Sequence, residues 1–580
     1  MGYLGLALRA ILLSTAASLI FGAGIATAEG VPGGTLRVLA LSDIDRFDPT
    51  SAGLVTTNNF VRATQRTLIS YAASTDEVER IAPQADLVTE VAQPTDDGLT
   101  YTFTLRDGVT WDTADGPRAI VAADFERGIK RACNPALGTP FLTYFTALIE
   151  GMDRFCDGFA RAEPTVQSMK AYIEENDISG IEISDDTSIT IRLKEPAGDF
   201  IYMLSLSAAA PAPIEVLDYM PDGPEYRENF IASGPYTVAE YVPDSLLRLE
   251  RNPSWNADSD PLRKAWVDGI EMVMGMQADG AIQQLQSGDA DLLYDILVPP
   301  AQLQLLQAQG DEKLMAISTG RSNFIFINTI ADNNNGAMAD LRVRQALNYA
   351  IDRGAIIQQM GGPYVATPNH GIFGAGVLGW HEFNLYPSAD DRGDPEKARE
   401  LLAEAGYPDG ITLKMPFRNL NDEPAIAQTL QDSFRKAGIT LKLEPVTAGD
   451  YYSRFMTNRN NTASGAWDIA PVSWSPDWAG GAARSVFQPQ FSFDGTPQTY
   501  NYIDYNNDAA NKLAAQAINA TDPAQVAALW AQVDEAVMAD APVVPMVSQS
   551  NVIYRSEAVQ NFQPYALSAN GDWTNVWLDR

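Results

Sequence analysis

Histidine and cysteine are the scarcest reactive residues of this chain, with two of each among 580 residues. Zinc sites and cysteine nucleophiles need histidine partners, but His370 and His381 lie far in sequence from both cysteines. The chain also lacks the G-x-S-x-G, G-x-x-x-x-G-K-S/T and H-E-x-x-H motifs of serine hydrolases, phosphate-binding loops and zinc proteases. We therefore expect no metal site, no cofactor and no catalytic residue, although residue types alone do not exclude a carboxylate-pair glycosidase.

Basic residues are few relative to acidic ones. The chain has 40 Lys and Arg against 74 Asp and Glu, which gives a formal net charge of −34. A surface this acidic repels the phosphate backbones of nucleic acids and anionic lipid headgroups. Because the acids are scattered rather than clustered, they indicate solubility or adaptation to salt, and we expect no nucleic-acid partner.

Long apolar runs are absent after the N-terminus. Residues 1–9 carry one positive charge, residues 10–25 are apolar and small, and Ala26-Thr27-Ala28 forms an A-x-A cleavage site before Glu29. This pattern predicts an export signal over residues 1–28 and places the mature protein in the periplasm or on the exterior of the cell envelope. The alternative is a retained signal that tethers the protein to the membrane. No cysteine follows the apolar stretch, so lipid attachment there is excluded.

The two cysteines, Cys133 and Cys156, are close in sequence. In an exported chain such an even pair favours a disulfide over two free thiols. The closed loop would add about 3 kcal/mol of stability on a chain-entropy estimate. We predict a disulfide with a structural role.

Apolar patterning alternates short strands with helices along the whole chain, without a low-complexity linker. The length and the 46% hydrophobic content predict at least two lobes, joined by strands rather than by flexible tethers. Strands are predicted at 35–41, 99–105, 181–183, 188–193, 245–250, 269–274, 290–295, 324–328, 412–417, 440–445 and 543–547. Helices are predicted at 59–71, 121–133, 279–287, 341–351, 396–404, 425–437, 508–520 and 523–538.

Several short motifs occur in a fixed order along the chain. They include GGTLRV at 33–38, DRFDP at 45–49, YTFTLRDGVTW at 101–111, AADF at 122–125, SGPY at 233–236, RNPSW at 251–255, SGDAD at 287–291, VRQALNYAIDR at 343–353 and LLAEAGYP at 401–408. Each one has an ordinary architectural cause, such as a turn glycine at Gly108 or a packed aromatic at Trp111. Taken as an ordered set, they resemble the extracytoplasmic solute-binding proteins of family 5, the peptide- and nickel-binding proteins of ABC importers.

The resemblance implies an α/β, two-lobed periplasmic-binding-protein-like fold (class II, type C cluster) with an extra α+β subdomain inserted in lobe I. The implied layout is lobe I at 29–71, 181–298 and 549–580, the insertion at 72–180, and lobe II at 299–548. It also implies a monomer that captures a solute between its lobes and delivers it to the permease subunits of an ABC transporter.

The family resemblance points to the motif WSPDW at 474–478 as the part of the site that binds the ligand. In peptide-binding members a carboxylate here pairs with the ligand's α-ammonium group, and Asp477 falls at that position. The alternative for Asp477 is a helix cap or a solvated loop acid. Trp474 and Trp478 could stack on the ligand, although Trp474 could equally belong to the core.

The cation that would bind a peptide's carboxylate is harder to identify. Oligopeptide-binding relatives carry an arginine shortly before the tryptophan motif, where this chain reads IAPV at 469–472. Arg418 and Arg321 are candidate substitutes, with ordinary surface or hinge arginines as the alternative. Further candidates for polar contacts with the ligand are Tyr500, Tyr502, Asn58 and Asn59.

Two classes of function remain after this argument. The first is a receptor without chemistry of its own, for a short peptide or peptide-like solute or, alternatively, for an oligosaccharide, metal chelate or siderophore. The second is an exported hydrolase. The ordered motifs and the missing nucleophile favour the receptor.

Overall fold

The computed structural model describes residues 30–53, 57–95, 98–420, 422–493, 500–568 and 570–580. The predicted export signal at 1–28 lies outside the described residues. Among those described, none of the helices combines the length and the apolar character needed to cross a membrane.

Lobe I is built on a five-stranded mixed sheet. In spatial order the strands are Leu292–Leu293, Thr35–Leu39, Gly269–Val273, Leu246–Arg251 and Tyr236–Val242. The first strand in the chain, Thr35–Leu39, runs parallel to both of its neighbours, whereas the other two pairs are antiparallel. Its alternate residues Leu36 and Val38 are fully buried, which is the period expected of a strand with one face on the core.

The inserted subdomain combines small antiparallel sheets with several helices. Strands Thr100–Thr104, Ser188–Arg192 and Ile181–Ile183 form one sheet, and Thr110–Thr113 pairs with Gly116–Ala119. Cys133 and Cys156 form the predicted disulfide, which joins the end of helix Ala122–Ala132 to helix Met152–Phe159. The core of this subdomain also includes Leu68 and Leu217, so the packed unit extends beyond the predicted bounds of 72–180.

Lobe II contains a four-stranded antiparallel sheet and a parallel pair. The sheet has the order Ala366–Pro368, Val543–Tyr554, Leu314–Ile327 and Ile469–Trp474. The parallel pair, Ile411–Arg418 and Ile439–Val446, is connected by helix Glu423–Lys436. A helical crossover of this length is what two parallel neighbours require.

About half of the α-helices of five or more residues coincide with predicted ones. In lobe I and the insertion they are Asn58–Thr64, Glu77–Ile81, Ala122–Ala132, Leu142–Leu148, Met152–Phe159, Val166–Glu175, Pro224–Glu228, Ala278–Ser287 and Pro300–Gln309. In lobe II they are Leu341–Ala350, Arg353–Met360, Pro395–Glu404, Glu423–Lys436, Arg459–Ala463, Ala483–Phe491, Asp508–Asn519 and Pro523–Ala539. Short polar side chains that cap the first turn explain where several of these helices begin. For example, the Asp522 carboxylate accepts the Gln525 backbone N–H, with Pro523 in the first turn.

The predicted helix at 59–71 was wrong in its second half. The helix ends at Thr64, and Ile69–Tyr71 is a strand that pairs with Pro83–Ala85. Every side chain from 68 to 71 is buried, so this segment lacks the polar face that a surface helix keeps towards water. A short, continuously apolar run of this kind does not distinguish a strand from a helix by its period.

Two long strands connect the lobes. Leu314–Ile327 and Val543–Tyr554 pair antiparallel along most of their length; we call them the crossing strands. Ile317 packs in the core of lobe I and Phe324 in that of lobe II. The pairing of the crossing strands is interrupted between Ser318 and Arg321, where Gly320 has a φ of 72°. A left-handed glycine at a break in the ladder is a natural position for a hinge.

Helix Pro300–Gln309, which the predicted layout assigns to lobe II, contacts residues that the layout assigns to lobe I. Leu303 and Leu306, on helix Pro300–Gln309, pack against Leu39 and Leu285 of lobe I. The segment from 299 to the break therefore packs with lobe I. The domain bounds given above stay predictions.

Candidate functional site

A cavity of about 240 Å³ lies where the crossing strands pass between the lobes. We call it the cleft cavity. Its walls are Asn58, Glu77, Arg80 and Ile81, the crossing-strand residues 317–321 and 549–551, Gly376 and Val377, the loop 475–479, and residues 565–568. Both lobes and the crossing strands therefore contribute to one space.

Asp477 lies in the wall of the cleft cavity, on the loop between strand Ile469–Trp474 and helix Ala483–Phe491. Its backbone N–H donates to Ser485 Oγ at 3.1 Å, and its Oδ2 accepts the Tyr144 hydroxyl at 2.5 Å. Burial raises the pKa of the Asp477 carboxyl to about 6, although the Tyr144 hydrogen bond lowers it in part. Within the part of the chain that the structure describes, Asp477 has no ion pair with a basic side chain.

The two tryptophans that flank Asp477 have different surroundings. Trp478 lines the cleft cavity and packs edge-on against Tyr144, with ring centroids 5.0 Å apart. It belongs to the core of the inserted subdomain, so this lobe II loop reaches across into lobe I. Trp474 instead donates its Nε1–H to the Ser485 carbonyl and packs against Tyr500. It does not line either of the two cavities described here, which favours the alternative that Trp474 is a packing residue.

Arg321 lies on the crossing strand Leu314–Ile327, directly after the break at Gly320. Its Nη2 donates to Ser473 Oγ at 2.8 Å, while its Nε is buried without a hydrogen-bond partner among the described residues. Burial lowers the pKa of the Arg321 guanidinium, and the nearby Arg418 lowers it further. Over the described ranges, Arg321 has no carboxylate within ion-pair distance.

A second cavity, of about 420 Å³, adjoins the first, and we call it the side cavity. The two cavities share Arg321 and residues 549–551 in their walls. Arg418 lines the side cavity, where its guanidinium forms an ion pair with Glu423 and lies 3.4 Å from the Tyr452 hydroxyl. Arg418 is therefore already neutralised, whereas Arg321 is not.

The four remaining candidates are divided between the cavity and the cores. Asn58 lines the cleft cavity and donates to the Leu567 carbonyl at 2.5 Å. Asn59 is buried in lobe I, and neither of its amide atoms has a partner among the described residues. Tyr502 packs in the lobe II core against Phe326, and Tyr500 is 40% exposed. Tyr500 and Tyr502 lie outside both cavities, and the ligand-binding role of all four stays a prediction.

Several residues of the cleft cavity were not among the sequence candidates. They include Arg80, which is buried and lies 3.6 Å from Glu77, together with Gln549 and Tyr565. Tyr144, the partner of Asp477, was missed as well. None of these residues lies in a motif that carries chemistry, and they come from segments that are remote in sequence.

The described residues contain no group of three or more His, Cys, Asp and Glu side chains arranged to hold a metal ion. His370 and His381 are instead paired with Asp391 and Glu535, at 2.8 and 2.9 Å. The charged groups that line the cleft cavity are carboxylates and guanidinium groups, which can form charge-assisted hydrogen bonds with ionic ligands.

Residues 82–482 match the model of a family described as bacterial extracellular solute-binding proteins, family 5 Middle. The glutathione-binding protein GsiB of Escherichia coli is 26% identical over 473 residues, which cover 80% of this chain and 81% of GsiB.

Solved structures match nearly the whole chain. Clavulanic acid biosynthesis oligopeptide binding protein 2 superimposes with a TM-score of 0.81 at 25% identity, covering 95% of this chain and 96% of that protein. The periplasmic binding protein DppA of Helicobacter pylori, in complex with the peptide STSA, gives a TM-score of 0.68 at 22% identity, covering 95% and 99%. At that identity the likeness to DppA concerns the fold.

Proposed function

Since the chain belongs to family 5 of the bacterial extracellular solute-binding proteins, we propose that it captures a short peptide or peptide-like solute between its lobes. In this role it is the substrate-binding component of an ABC import system and delivers the solute to the permease subunits. The names of its relatives support this class of ligand, since GsiB is a glutathione-binding protein and the clavulanic acid protein an oligopeptide-binding one.

One observation carries the proposal: the cleft cavity holds two opposite charges that lack counter-charges among the described residues. Asp477 has only a hydroxyl donor, and Arg321 has only a serine hydroxyl acceptor. A peptide with free termini carries an ammonium group and a carboxylate, which match these two groups. Because the cavity is partly shielded from water, such charge-assisted hydrogen bonds are stronger there than on a surface.

Capture also requires the lobes to close and open, and the crossing strands provide a hinge for this motion. Contacts across the lobes hold them together. Gly198 donates its N–H to the Ile518 carbonyl at 2.9 Å, and Arg484 lies 3.5 Å from Asp199. Neither contact lines the cleft cavity, and we propose that both stabilise the closed arrangement of the lobes rather than bind the solute.

The protein is proposed to be a receptor rather than an enzyme. Its family and its curated relatives are binding proteins. The Asp477 carboxylate accepts the Tyr144 hydroxyl and lines the cleft cavity, where it is suited to pairing with a cation. A receptor of this kind binds one solute per chain and releases it unchanged.

Identification of the natural solute is the first test. The mature protein is purified from its native host under non-denaturing conditions, and bound material is released and identified by mass spectrometry. A pool of short peptides supports the proposal. A single sugar, chelate or siderophore would keep the receptor function and overturn the peptide assignment, and a processed product would indicate a hydrolase.

Blocked peptides test the two charges separately. Calorimetry compares Ala-Ala-Ala with its N-acetyl and its C-amide derivatives on the ligand-free protein. We expect each block to weaken binding about tenfold or more, because each leaves one buried charge without its partner. Equal affinities for all three peptides would contradict the proposed roles of Asp477 and Arg321.

A further inference from the structure

The side cavity is lined mainly by apolar side chains. Leu303, Met360, Ile426, Leu430 and Met546 form much of its wall. Two apolar residues of the wall are unusually exposed to solvent, Leu297 at 65% and Leu420 at 46%. Its volume of about 420 Å³ lies within the ~300–1,000 Å³ typical of small-molecule sites. The cavity is thus large enough for an apolar group of a ligand.

Part of the polar lining of the side cavity lies where it meets the cleft cavity, and three further charged residues, Arg418, Asp422 and Glu423, line the side cavity alone. Arg321, Gln549 and Asn551 line both spaces, and Asn323 and Ser473 follow on the same side. Facing them, helix Glu423–Lys436 presents Ile426, Ala427 and Leu430 to the cavity. A ligand that extends from the cleft cavity into the side cavity therefore passes Arg321 at the junction and then contacts the apolar side chains of the helix.

The cation at this junction has no ion-pair partner among the described residues. Arg418 is paired with Glu423, whereas Arg321 has no carboxylate within ion-pair distance. Arg418 adds to the positive potential around Arg321, and the carboxylates of Asp422 and Glu423 offset it in part. An anionic group of a ligand would supply a counter-charge to Arg321 at the junction, and an apolar group attached to it would extend into the side cavity.

We infer that the side cavity is a specificity subsite for the side chain of the peptide's C-terminal residue, and that this residue is bulky and apolar. The inference rests on the proposed function. The ligand's ammonium group pairs with Asp477, its terminal carboxylate with Arg321, and its last side chain fills the side cavity. A C-terminal Leu, Ile, Met or Phe meets this chemistry. A polar side chain would lose its hydration against the apolar part of the wall, and Arg418 and Glu423 are already paired with each other.

Peptides that differ only in the last residue test the subsite. Calorimetry on the ligand-free protein compares Ala-Ala-Gly, Ala-Ala-Leu and Ala-Ala-Asp. Burial of a leucine side chain predicts binding about 10- to 100-fold tighter than for glycine. Ala-Ala-Asp is expected to bind no better than Ala-Ala-Gly. Equal affinities for all three would overturn the subsite and leave the peptide receptor intact, whereas no binding of any peptide would overturn both.

A variant that fills the cavity provides the second test. Ile426→Trp places a larger ring in the side cavity, and Ile330→Trp makes the same change at an exposed position outside both cavities. We expect Ile426→Trp to reduce the ratio of the Leu to the Gly peptide affinity at least tenfold, and Ile330→Trp to leave this ratio within twofold. An unchanged ratio in a folded Ile426→Trp protein would contradict the subsite.

A fatty acid distinguishes the peptide from another source of the same chemistry. Octanoate also joins an apolar chain to a carboxylate, but it has no ammonium group for Asp477. We expect Ala-Ala-Leu to bind at least tenfold more tightly than octanoate. The reverse order would show that the two cavities serve a lipid-like acid and would overturn the inference.

Discussion

Lobe I and the cleft both contain buried charged side chains, but they differ in whether these side chains form ion pairs. In lobe I three arginines and three aspartates, each at most 3% exposed, form one paired network: Arg62 with Asp572, Arg66 with Asp86, and Arg263 with Asp86 and Asp260. The ion-pair distances are 2.7, 2.8, 2.9 and 3.2 Å. In the cleft, Asp477 and Arg321 have no such partners among the described residues.

Under the proposed function, the charges paired within lobe I are structural, and the two unpaired charges of the cleft are the ones that a ligand would neutralise. A charge removed from water is costly unless a counter-charge replaces its hydration. The lobe I network satisfies that requirement internally, whereas we propose that the solute meets it for Asp477 and Arg321. The two regions touch at Tyr565, which lines the cleft cavity and stacks on Arg62 at 4.0 Å. The network therefore also supports the wall of the site.

The largest expected effect comes from breaking a paired charge. Asp86→Asn keeps the shape of the side chain but leaves Arg66 and Arg263 with one carboxylate fewer between them. We expect a loss of about 3–5 kcal/mol in the free energy of unfolding, the usual result for a broken buried pair. Urea unfolding followed by circular dichroism measures it.

The control is Asp409→Asn at an exposed position, which should change stability by less than about 0.5 kcal/mol. The pH dependence of stability provides a second check on the pairing of Asp86. Although burial opposes ionisation, Arg263 and Arg66 hold the pKa of Asp86 at about 2, below its ordinary value of 3.8. Its stabilising contribution is complete above pH 3.8 and is lost as the pH falls towards 2, so the deficit of Asp86→Asn should shrink over that range. A deficit that persists at pH 2 would contradict the pairing.

Removal of an unpaired charge should reduce ligand binding without reducing the stability of the fold. Asp477→Asn is expected to weaken binding of a peptide with a free ammonium group about tenfold or more, because it removes the counter-charge. It should leave the stability of the ligand-free protein equal or higher at pH 7. The folded-state pKa of about 6 exceeds the ordinary 3.8, so the ionised carboxylate destabilises the fold as the pH rises through this range. Calorimetry and urea unfolding measure the two effects, and unchanged affinity would remove Asp477 from the site.

The same pKa predicts how affinity depends on pH. Because the ammonium group needs an ionised carboxylate, affinity should decline as the pH falls below about 6. The Asp477→Asn variant should lose this dependence between pH 7 and 5. A parallel decline in the wild type and the variant would assign the titration to another group.

Arg321 provides the matching test at the other end of the ligand. Arg321→Gln is expected to lower the affinity for a peptide with a free carboxylate about tenfold and to leave the affinity for its C-amide within twofold. Arg161→Gln is the control, because Arg161 is exposed on the inserted subdomain. If both peptides weaken equally in Arg321→Gln, the arginine acts through the hinge rather than on the carboxylate.

The smallest effect is expected at Tyr500. Its ring packs on Trp474 outside both cavities, so Tyr500→Phe should change peptide affinity less than twofold. Calorimetry with Ala-Ala-Leu measures it. A loss of more than fivefold would return Tyr500, and with it Trp474, to the set of ligand-binding residues.

About half of the strands and helices were predicted from the sequence, and these are the ones whose patterns are local. Strand Thr35–Leu39, helix Leu341–Ala350 and the unit from Ile411 to Val446 follow the expected periods closely. The failures lie where local pattern is ambiguous. The strand Ile69–Tyr71 reads as the end of a helix, and helix Pro300–Gln309 gives no sign of which lobe it packs against.

The candidate site was predictable only in part, for a similar reason. Asp477, Trp478, Arg321 and Asn58 do line the cleft cavity, and Arg418 lines the side cavity. Tyr502 and Trp474 have the same residue types as ligand-stacking aromatics, yet they pack within lobe II. Tyr144 and Arg80 belong to the site only because chain segments far apart in sequence meet there.

The sequence by itself determined the family, the α/β character and the disulfide between Cys133 and Cys156. It also singled out the motif WSPDW at 474–478, which contains Asp477. These features depend on residue order and on local periodicity. Only the tertiary structure decided which charges are paired. Asp86 and Asp477 are alike as isolated aspartates. One meets two arginines and the other a tyrosine hydroxyl, because pairing depends on distances of about 3 Å between residues remote in sequence.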